Sequence, residues 1–460
     1  MILAAERTRG QIIAGAGLGL TAALIAVVPS LAVKAAVCAA VAAIPLFWWM
    51  LREPGRWLAL FFLSALLLPP LPVDIGDAGP HIALLFAGCG LLIGAIYSVP
   101  LQIDRLSVSF CVLFASIAAS VAMAAIYSGL PVAAQSMARV MLFGISLYVL
   151  FFVRGSAVSF QIVRLLFLAA VGSAVFACLD FYFQFPAPGG YGRQFIWLES
   201  GVFRRAQGVF YEASTLGNLC AFFLEMIAVA LFRARAKRPV SMAAMLAGGV
   251  ALASALVLSY SRASLVNLAV ALVVLLWLNR KRVRMGRFLA AATVLGGAAA
   301  AALIGLLPIF ARAYWLRIVQ SFAYLFESPD ATLSGRIHSW TTLLQFLAAH
   351  PWHAVFGIGY KTLPYSDFIG QTAIADNTYV SILVETGVVG LAALLVWNVA
   401  ILRASCRASK SDDSRRSFCG TWILCFWAGQ IVQMFSADLL TYWRVLPVYM
   451  CVLALAVRRK

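Results

Sequence analysis

Charge is what this chain has least of: charged residues make up 11% of its 460, against 63% hydrophobic, and the mean hydropathy is +0.95. Soluble domains carry about 25% charged residues and seldom more than about half apolar ones, so a water-soluble globule is excluded. A disordered chain is excluded by the same quantities, because it would be poor in apolar residues. Histidine is scarce, at four residues. The nine cysteines are too few for a disulfide scaffold, and all fall in apolar runs or in basic loops, so no disulfide is expected. P-loop and Rossmann fingerprints are absent; the run Gly15-Ala16-Gly17-Leu18-Gly19 lies inside an apolar segment and reads as close helix packing. A cleavable signal peptide is not expected either, since the first apolar segment leads into a second without an A-x-A-like site.

Long apolar runs are what the chain has instead. A bilayer core of roughly 30 Å takes about 20 apolar residues per helix. Segments near 11–30, 35–50, 57–73, 81–98, 106–128, 138–153, 165–185, 211–232, 240–259, 264–279, 288–309, 379–402, 418–437 and 445–457 read as spans. They predict an all-α polytopic membrane protein of about 12–14 transmembrane helices. These runs do not alternate, so a β-barrel is excluded. With the N-terminus inside, the basic groups Arg52/Arg56, Arg105, Arg154/Arg164 and those within 233–238, 280–287, 403–416 and 458–460 all fall on the cytoplasmic side. The net charge of +18 is thereby read as topology, spread over short loops, and no nucleic-acid partner is expected. The chain divides into four regions: N-terminal helices over 1–185, central helices with an Arg-bearing outer loop over 186–309, a large outer loop over 310–378, and C-terminal helices over 379–460.

The remaining basic residues lie outside. Lys34, in a tight turn, and Arg139, at the expected start of a span, are read as snorkelling side chains. The others are Arg193, Arg204, Arg205, Arg262, Arg312, Arg317, Arg336, Lys361 and Arg444. All but Lys361 are Arg, the residue whose planar fork grips phosphate or carboxylate bidentately; interfacial headgroup contact is the bland alternative. The large loop is expected to open with an interfacial helix over 313–326 and to hold a second over 336–350, turning Ile337, Trp340, Leu343, Leu344 and Leu347 inward. Trp197, Trp315, Trp340 and Trp352 form an aromatic belt or stack on sugar. His338, His350 and His353 also lie in this loop, but His350-Pro351-Trp352-His353 lacks metalloprotease spacing, and no metal is expected. Glu225 and Asp180 are the acids at membrane depth, whereas Arg, His and acid concentrate at the outer face. That balance favours surface chemistry over transport.

Placed in order, these pieces resemble the O-antigen ligase and O-antigen polymerase family of bacterial membrane glycosyltransferases. They are Arg205-x-x-Gly208-x-Phe210, Ser261-Arg262, Ser334-Gly335-Arg336 with Trp340, His350-Pro351 with Gly357-x-Gly359-Tyr360, and Asp376-Asn377-x-Tyr379 with Glu385-x-Gly387-x-x-Gly390. Ligases of this family carry His where this chain has Asp376, and Arg-x3-Leu where Arg262 is followed by Val266. The Asp-Asn start looks more like the polymerase type. The resemblance implies a GT-C-like fold in the bacterial inner membrane, with its active site facing the periplasm. It implies a polyprenyl-diphosphate-linked oligosaccharide donor, a glycan or lipid A-core acceptor, surrounding membrane lipids, and no cofactor. By it, Arg205, Arg262 and Arg336 stabilise the leaving diphosphate, and Asp376 is the general base. Glu212 and His338 are the reserve bases, and Arg193, Arg204, Tyr360 and Asn377 complete the substrate contacts. Asp376 also fits a plain helix N-cap, Arg204 an interfacial charge, and Gly387 and Gly390 close helix packing. A lipid-linked glycan flippase is the reading from a different class.

The topology is open to test by cysteine labelling of Ser328 and Ser411. Ser328 should be reached from outside and Ser411 only from inside; equal access from outside refutes the arrangement.

Overall fold

The computed structural model describes residues 43–70, 81–186, 194–198, 201–232, 238–280, 336–363 and 375–458, with 30 and 41. After a helical stretch over 43–51, the helices are α1 (Arg56–Leu67), α2 (Ile82–Ile96), α3 (Arg105–Ser128), α4 (Leu130–Gly155), α5 (Gln161–Phe183), α6 (Ala213–Leu231), α7 (Met242–Leu258) and α8 (Arg262–Asn279). Then come α9 (Arg336–Ala349), α10 (Pro351–Phe356), α11 (Thr378–Ser409), α12 (Ser414–Gln433) and α13 (Leu446–Val457). Among the described residues α3, α4, α5, α6, α8 and α11 are long and apolar enough to cross a membrane, and α1, α2, α7 and α13 are apolar but shorter. The chain is a multi-pass, almost entirely helical membrane protein. One exception was not expected: β1 (Phe195–Leu198) and β2 (Gly201–Arg204) pair antiparallel, Phe195 opposite Arg204. The expected span 288–309, all but the last residue of 11–30, residues 35–40 and 42 of the expected span 35–50, and the interfacial helix over 313–326 lie outside the described residues.

Helices start where capping chemistry allows. The Asp104 carboxylate accepts from Ser107 N at 2.9 Å ahead of α3, and Ser241, Ser261 and Asp413 cap α7, α8 and α12 in the same way. Gly129, at φ +85°, turns the chain straight into α4 with Pro131 in its first turn, where a missing N–H costs nothing. This corrects the expected start at 138: Arg139 sits well inside α4, and its guanidinium donates to the Lys361 carbonyl at 2.9 Å. It is a tertiary link, not a snorkelling end.

At the expected cytoplasmic end, Arg154 in the last turn of α4 grips Asp104 with two nitrogens, at 2.7 and 3.1 Å. Arg458 ties α13 to the Val158 carbonyl at 3.0 Å. These residues belong to the basic loops read as one face.

Helix α1 stops short of the expected 73. A Cβ on Gly172, midway along α5, would stand 3.1 Å from the end of Leu67, so α1 ends at about half the height of its neighbour. Its last carbonyls lack helical partners, a serious cost in an apolar interior. Arg444 supplies them. Its guanidinium, buried in the bundle, donates to Ala65 O at 2.8 Å, Leu68 O at 2.6 Å and Val209 O at 2.7 Å, and lies over the Phe210 ring. His81 caps α2 with Nδ1 accepting from Ala83 N, so its other nitrogen carries the proton and donates to Leu68 O at 3.0 Å. The outer arginine read as a phosphate gripper is here a clamp on backbone.

A buried amide network joins α6, α8, α12 and α13. Asn218 and Asn267 both donate to Gln430 and Gln433, at 2.7–3.1 Å, and the Tyr449 hydroxyl donates to Asn218. Side-chain amides between helices hold a bundle where apolar packing gains nothing over lipid. The network lies one to two turns in from the N-terminal ends of α6 and α8, and forms a polar floor beneath that end of the bundle.

Replacing Arg444 by Met keeps the bulk and strands the carbonyls. Each unsatisfied buried acceptor costs about 1–3 kcal/mol, so the purified variant should melt well below wild type. An unchanged melting temperature would show the clamp to be dispensable.

Candidate functional site

Four broken or terminal segments lie at the end opposite the basic loops. The first is the chain before α6. Arg205 donates through Nε to Ser259 O at 2.7 Å, and Ala206 N to Leu258 O at 3.0 Å, so this strand-like stretch lies against the end of α7. Gly208, at φ +55°, fits because a side chain would press on Ala177 at 3.0 Å. Gly217 of α6 leaves room for Ser259, Ser261 and Ser264. Ser261 then caps α8, whose first residue is Arg262. Arg205 and the start of α8 at Arg262 thus lie at one serine-lined corner.

The second element is α9, found over Arg336–Ala349 as the periodicity predicts. Leu343 and Leu347 are buried, but Leu344 is exposed, contrary to expectation. Arg336 opens the helix and bonds Asp376 Oδ2 through Nη2 at 3.1 Å and Nε at 3.3 Å. Both side chains remain accessible, 26% for Arg336 and 50% for Asp376. Trp340 Nε1 donates to Ala375 O at 2.6 Å, fixing the helix beside the Asp-Asn pair.

Third is that pair itself. Asn377, not Asp376, caps α11: its Oδ1 accepts from Tyr379 N at 2.9 Å and Val380 N at 3.2 Å. Asp376 stands one residue outside the cap at φ +43°, which turns its carboxylate away from the helix and toward Arg336. The cap reading therefore passes to Asn377, and the substrate-contact reading of Asn377 loses a side-chain oxygen to that cap. Thr378 anchors the junction, N–H to Met434 O at 2.8 Å and hydroxyl to Ala437 O at 2.7 Å.

The fourth is a break in α11. Gly387 adopts φ +74°, and the carbonyls left over, Val384 O and Glu385 O, accept from Ile358 N at 3.0 Å and Gly359 N at 2.9 Å. Any side chain on Gly387 would collide with the Val355 carbonyl. So Gly387 makes a kink into which the Gly357-Ile358-Gly359-Tyr360 segment docks, whereas the sequence suggested only helix packing. Irregular backbone at such depth is tolerated because protein covers it. Tyr360 is buried in the core, its carbonyl taken by the Ser136 hydroxyl at 2.6 Å; no face of it is open to a substrate. His350 begins α10 and His353 is buried against Tyr127. His338 is exposed on α9.

Electrostatics single out a group the motifs did not. Lys361 pairs with Asp438, and the Glu385 carboxylate takes the Lys361 backbone N–H, giving Glu385 the partner its position required. Burial works against the Lys361 charge, yet the Asp438 and Glu385 carboxylates hold its pKa above the usual lysine range. Glu212, at the entrance to α6, accepts from the Thr215 hydroxyl at 2.6 Å. Burial pushes Glu212 up to about 7; Asp438 and Asp376 add to the rise, and Thr215 and Lys361 oppose it. Asp438 was not singled out from the sequence, although it is the lone acid between α12 and α13. Arg204 is also placed differently: it is buried and bonded to Asp180 at 2.5 Å, holding the β-ribbon to α5. Arg193 lies outside the described residues. Among the described residues no three His, Cys, Asp or Glu side chains converge as a metal site.

Residues 247–395 match the family model described as O-antigen ligase, which supports the O-antigen ligase and polymerase family. The matched stretch carries Ser261-Arg262, Arg336, Asp376-Asn377, Gly387 and Gly390; Arg205 and Glu212 precede it. No curated protein matches the chain.

The division of labour between neighbours is testable by stability alone. Asn377→Ala should cost about 1 kcal/mol through loss of the cap, and Asp376→Asn should leave the melting temperature near wild type. The reverse ranking would return the cap to Asp376.

Proposed function

We propose that the chain is a glycosyltransferase of the polymerase type, acting at the periplasmic face of the inner membrane on a glycan carried by polyprenyl diphosphate. The observation that carries this reading is the pairing of Arg336 with Asp376, an accessible guanidinium fork and carboxylate whose elements are tied together by the Trp340–Ala375 hydrogen bond, with Arg205 and Arg262 at the same end of the bundle. Asp376 in place of the ligase histidine supports polymerase over ligase. The accessible Arg336–Asp376 pair, set over a floor of neutral amides, supports transfer over flipping.

In the proposed reaction an acceptor sugar hydroxyl attacks the anomeric carbon. A new C–O bond forms, the bond from that carbon to the phosphate oxygen breaks, and the lipid diphosphate leaves with the electron pair. Arg336, Arg205 and Arg262 meet the negative charge as it develops, where fixed donors lower a barrier most. The hydroxyl proton passes to Asp376. Donor diphosphate competes with Asp376 for the Arg336 fork, so donor binding also releases the carboxylate that takes the proton. Glu212, with its raised pKa, stands as the second acceptor nearby. The arginines take the place of a metal ion, and chelators should leave the rate unchanged.

Purified protein assayed with lipid-linked donor decides between these parts. Asp376→Asn should lower transfer by about 10²–10⁴-fold, the usual worth of a general base, at unchanged protein level. Arg336→Lys keeps the charge, loses the fork, and should also slow transfer strongly. If Glu212 takes the proton instead, the rate rises with pH through about 7 as that carboxyl ionises, Glu212→Gln is inactive, and Asp376→Asn is tolerated. In a deletion strain, loss of long chains supports polymerase, whereas long chains left unattached support ligase.

A further inference from the structure

A groove of about 1120 Å³ opens at the other end of the molecule, far from the proposed chemistry. Its rim carries Arg56, Arg164, Arg238 and Arg415, with Glu53 as the one acid among the lining residues. Glu53 is spent on Arg56, bonded at 3.0 Å. Among the described residues Arg164, Arg238 and Arg415 make no ion pair: Arg238 donates to Ala230 O at 3.1 Å, and Arg415 lies over the Phe160 ring. The first turn of α5 opens on the same rim, adding the positive end of a 23-residue helix.

Below the rim the lining is apolar. Leu63 and Leu67 come from one face of α1, and Leu165, Leu168 and Gly172 from one face of α5. The two faces close where Leu67 meets Gly172. From Arg56 to Leu67 the helix rises about 16 Å at 1.5 Å per residue, which is about half of a roughly 30 Å bilayer core. A cationic mouth above an apolar trough one leaflet deep has the dimensions of a single phospholipid: phosphate at the rim, acyl chain along the trough.

We infer that this groove is a binding site for an anionic phospholipid of the cytoplasmic leaflet, held by Arg164, Arg238 and Arg415 at the phosphate and by the α1–α5 trough along one chain. Basic loops placed only by topology need charge on that side, but they need no trough beneath it. Because α5 also carries Asp180 and supports the segment before α6, an occupied groove braces the wall on which the opposite end is built.

The test uses the full chain in a neutral detergent, titrated with phosphatidylglycerol, with phosphatidylcholine of the same chains, and with glycerol phosphate alone. Phosphatidylglycerol should raise the melting temperature saturably and the other two should not. Replacing Arg164, Arg238 and Arg415 together by Gln should weaken that response at least tenfold in lipid concentration. Leu168→Trp, which fills the trough and leaves every charge in place, should weaken it as well, and decides the matter if the triple variant does not fold. Equal stabilisation by phosphatidylcholine, an effect of glycerol phosphate alone, or an undiminished response in Leu168→Trp would each overturn the proposal.

Discussion

A backbone group without a hydrogen-bond partner has no water to turn to inside a bilayer, and the architecture depends on how this chain answers that constraint. Complete helices answer it by themselves. The informative places are those where a helix stops or breaks at depth: α1 ends halfway and hands its carbonyls to Arg444, and α11 breaks at Gly387 and hands its carbonyls to Ile358 and Gly359. Each remedy draws in a segment from far along the chain. Those drawn-in segments are the walls of the candidate site, so its shape is a by-product of satisfying backbone.

The electrostatics of that site are built on the same scaffold. Lys361 is delivered by the segment docked into the α11 break, and its carbonyl is held by Arg139 from α4. There it gathers Asp438 and Glu385, and the field of that cluster reaches Glu212. Two kinds of carboxylate result. Asp376 is exposed and aligned on a guanidinium, whereas Glu212 is sheltered and its pKa is pushed up to about 7. Separating the environments of two carboxylates is a general way to assign distinct proton-transfer roles. The amide network below keeps the floor polar and neutral, with hydrogen bonds in place of charge.

Much of the fold was legible because it is local. Apolar run length marked the six described helices long enough to cross a membrane, α9 formed where its periodicity lay, and Arg154 and Arg458 of the basic loops fell together at one end. The ordered motif pieces around Arg262, Arg336 and Asp376 identified a family whose model matches residues 247–395. Misreadings cluster where a polar side chain had two local explanations. Arg204, Arg139 and Arg444 look like surface charges from sequence, because an Arg near the end of an apolar run is usually one. In the structure each is drawn into the bundle to hold a specific acid or carbonyl.

The sequence by itself determined that this is a helical membrane protein, and which residue types collect in its basic loops and which between them. Hydropathy and charge decide those, and both act residue by residue along the chain. Which residue caps α11, which acid meets Arg336, and why Gly387 is a glycine were decided only in three dimensions. The Asp376 and Asn377 side chains are equally good caps in isolation. Asn377 takes the role because Thr378 is pinned to Met434 and Ala437, and Trp340 to Ala375, leaving Asp376 turned toward Arg336. Partners that lie as much as 379 residues apart along the chain leave no periodic trace in sequence, since what selects them is the fit of already folded helices.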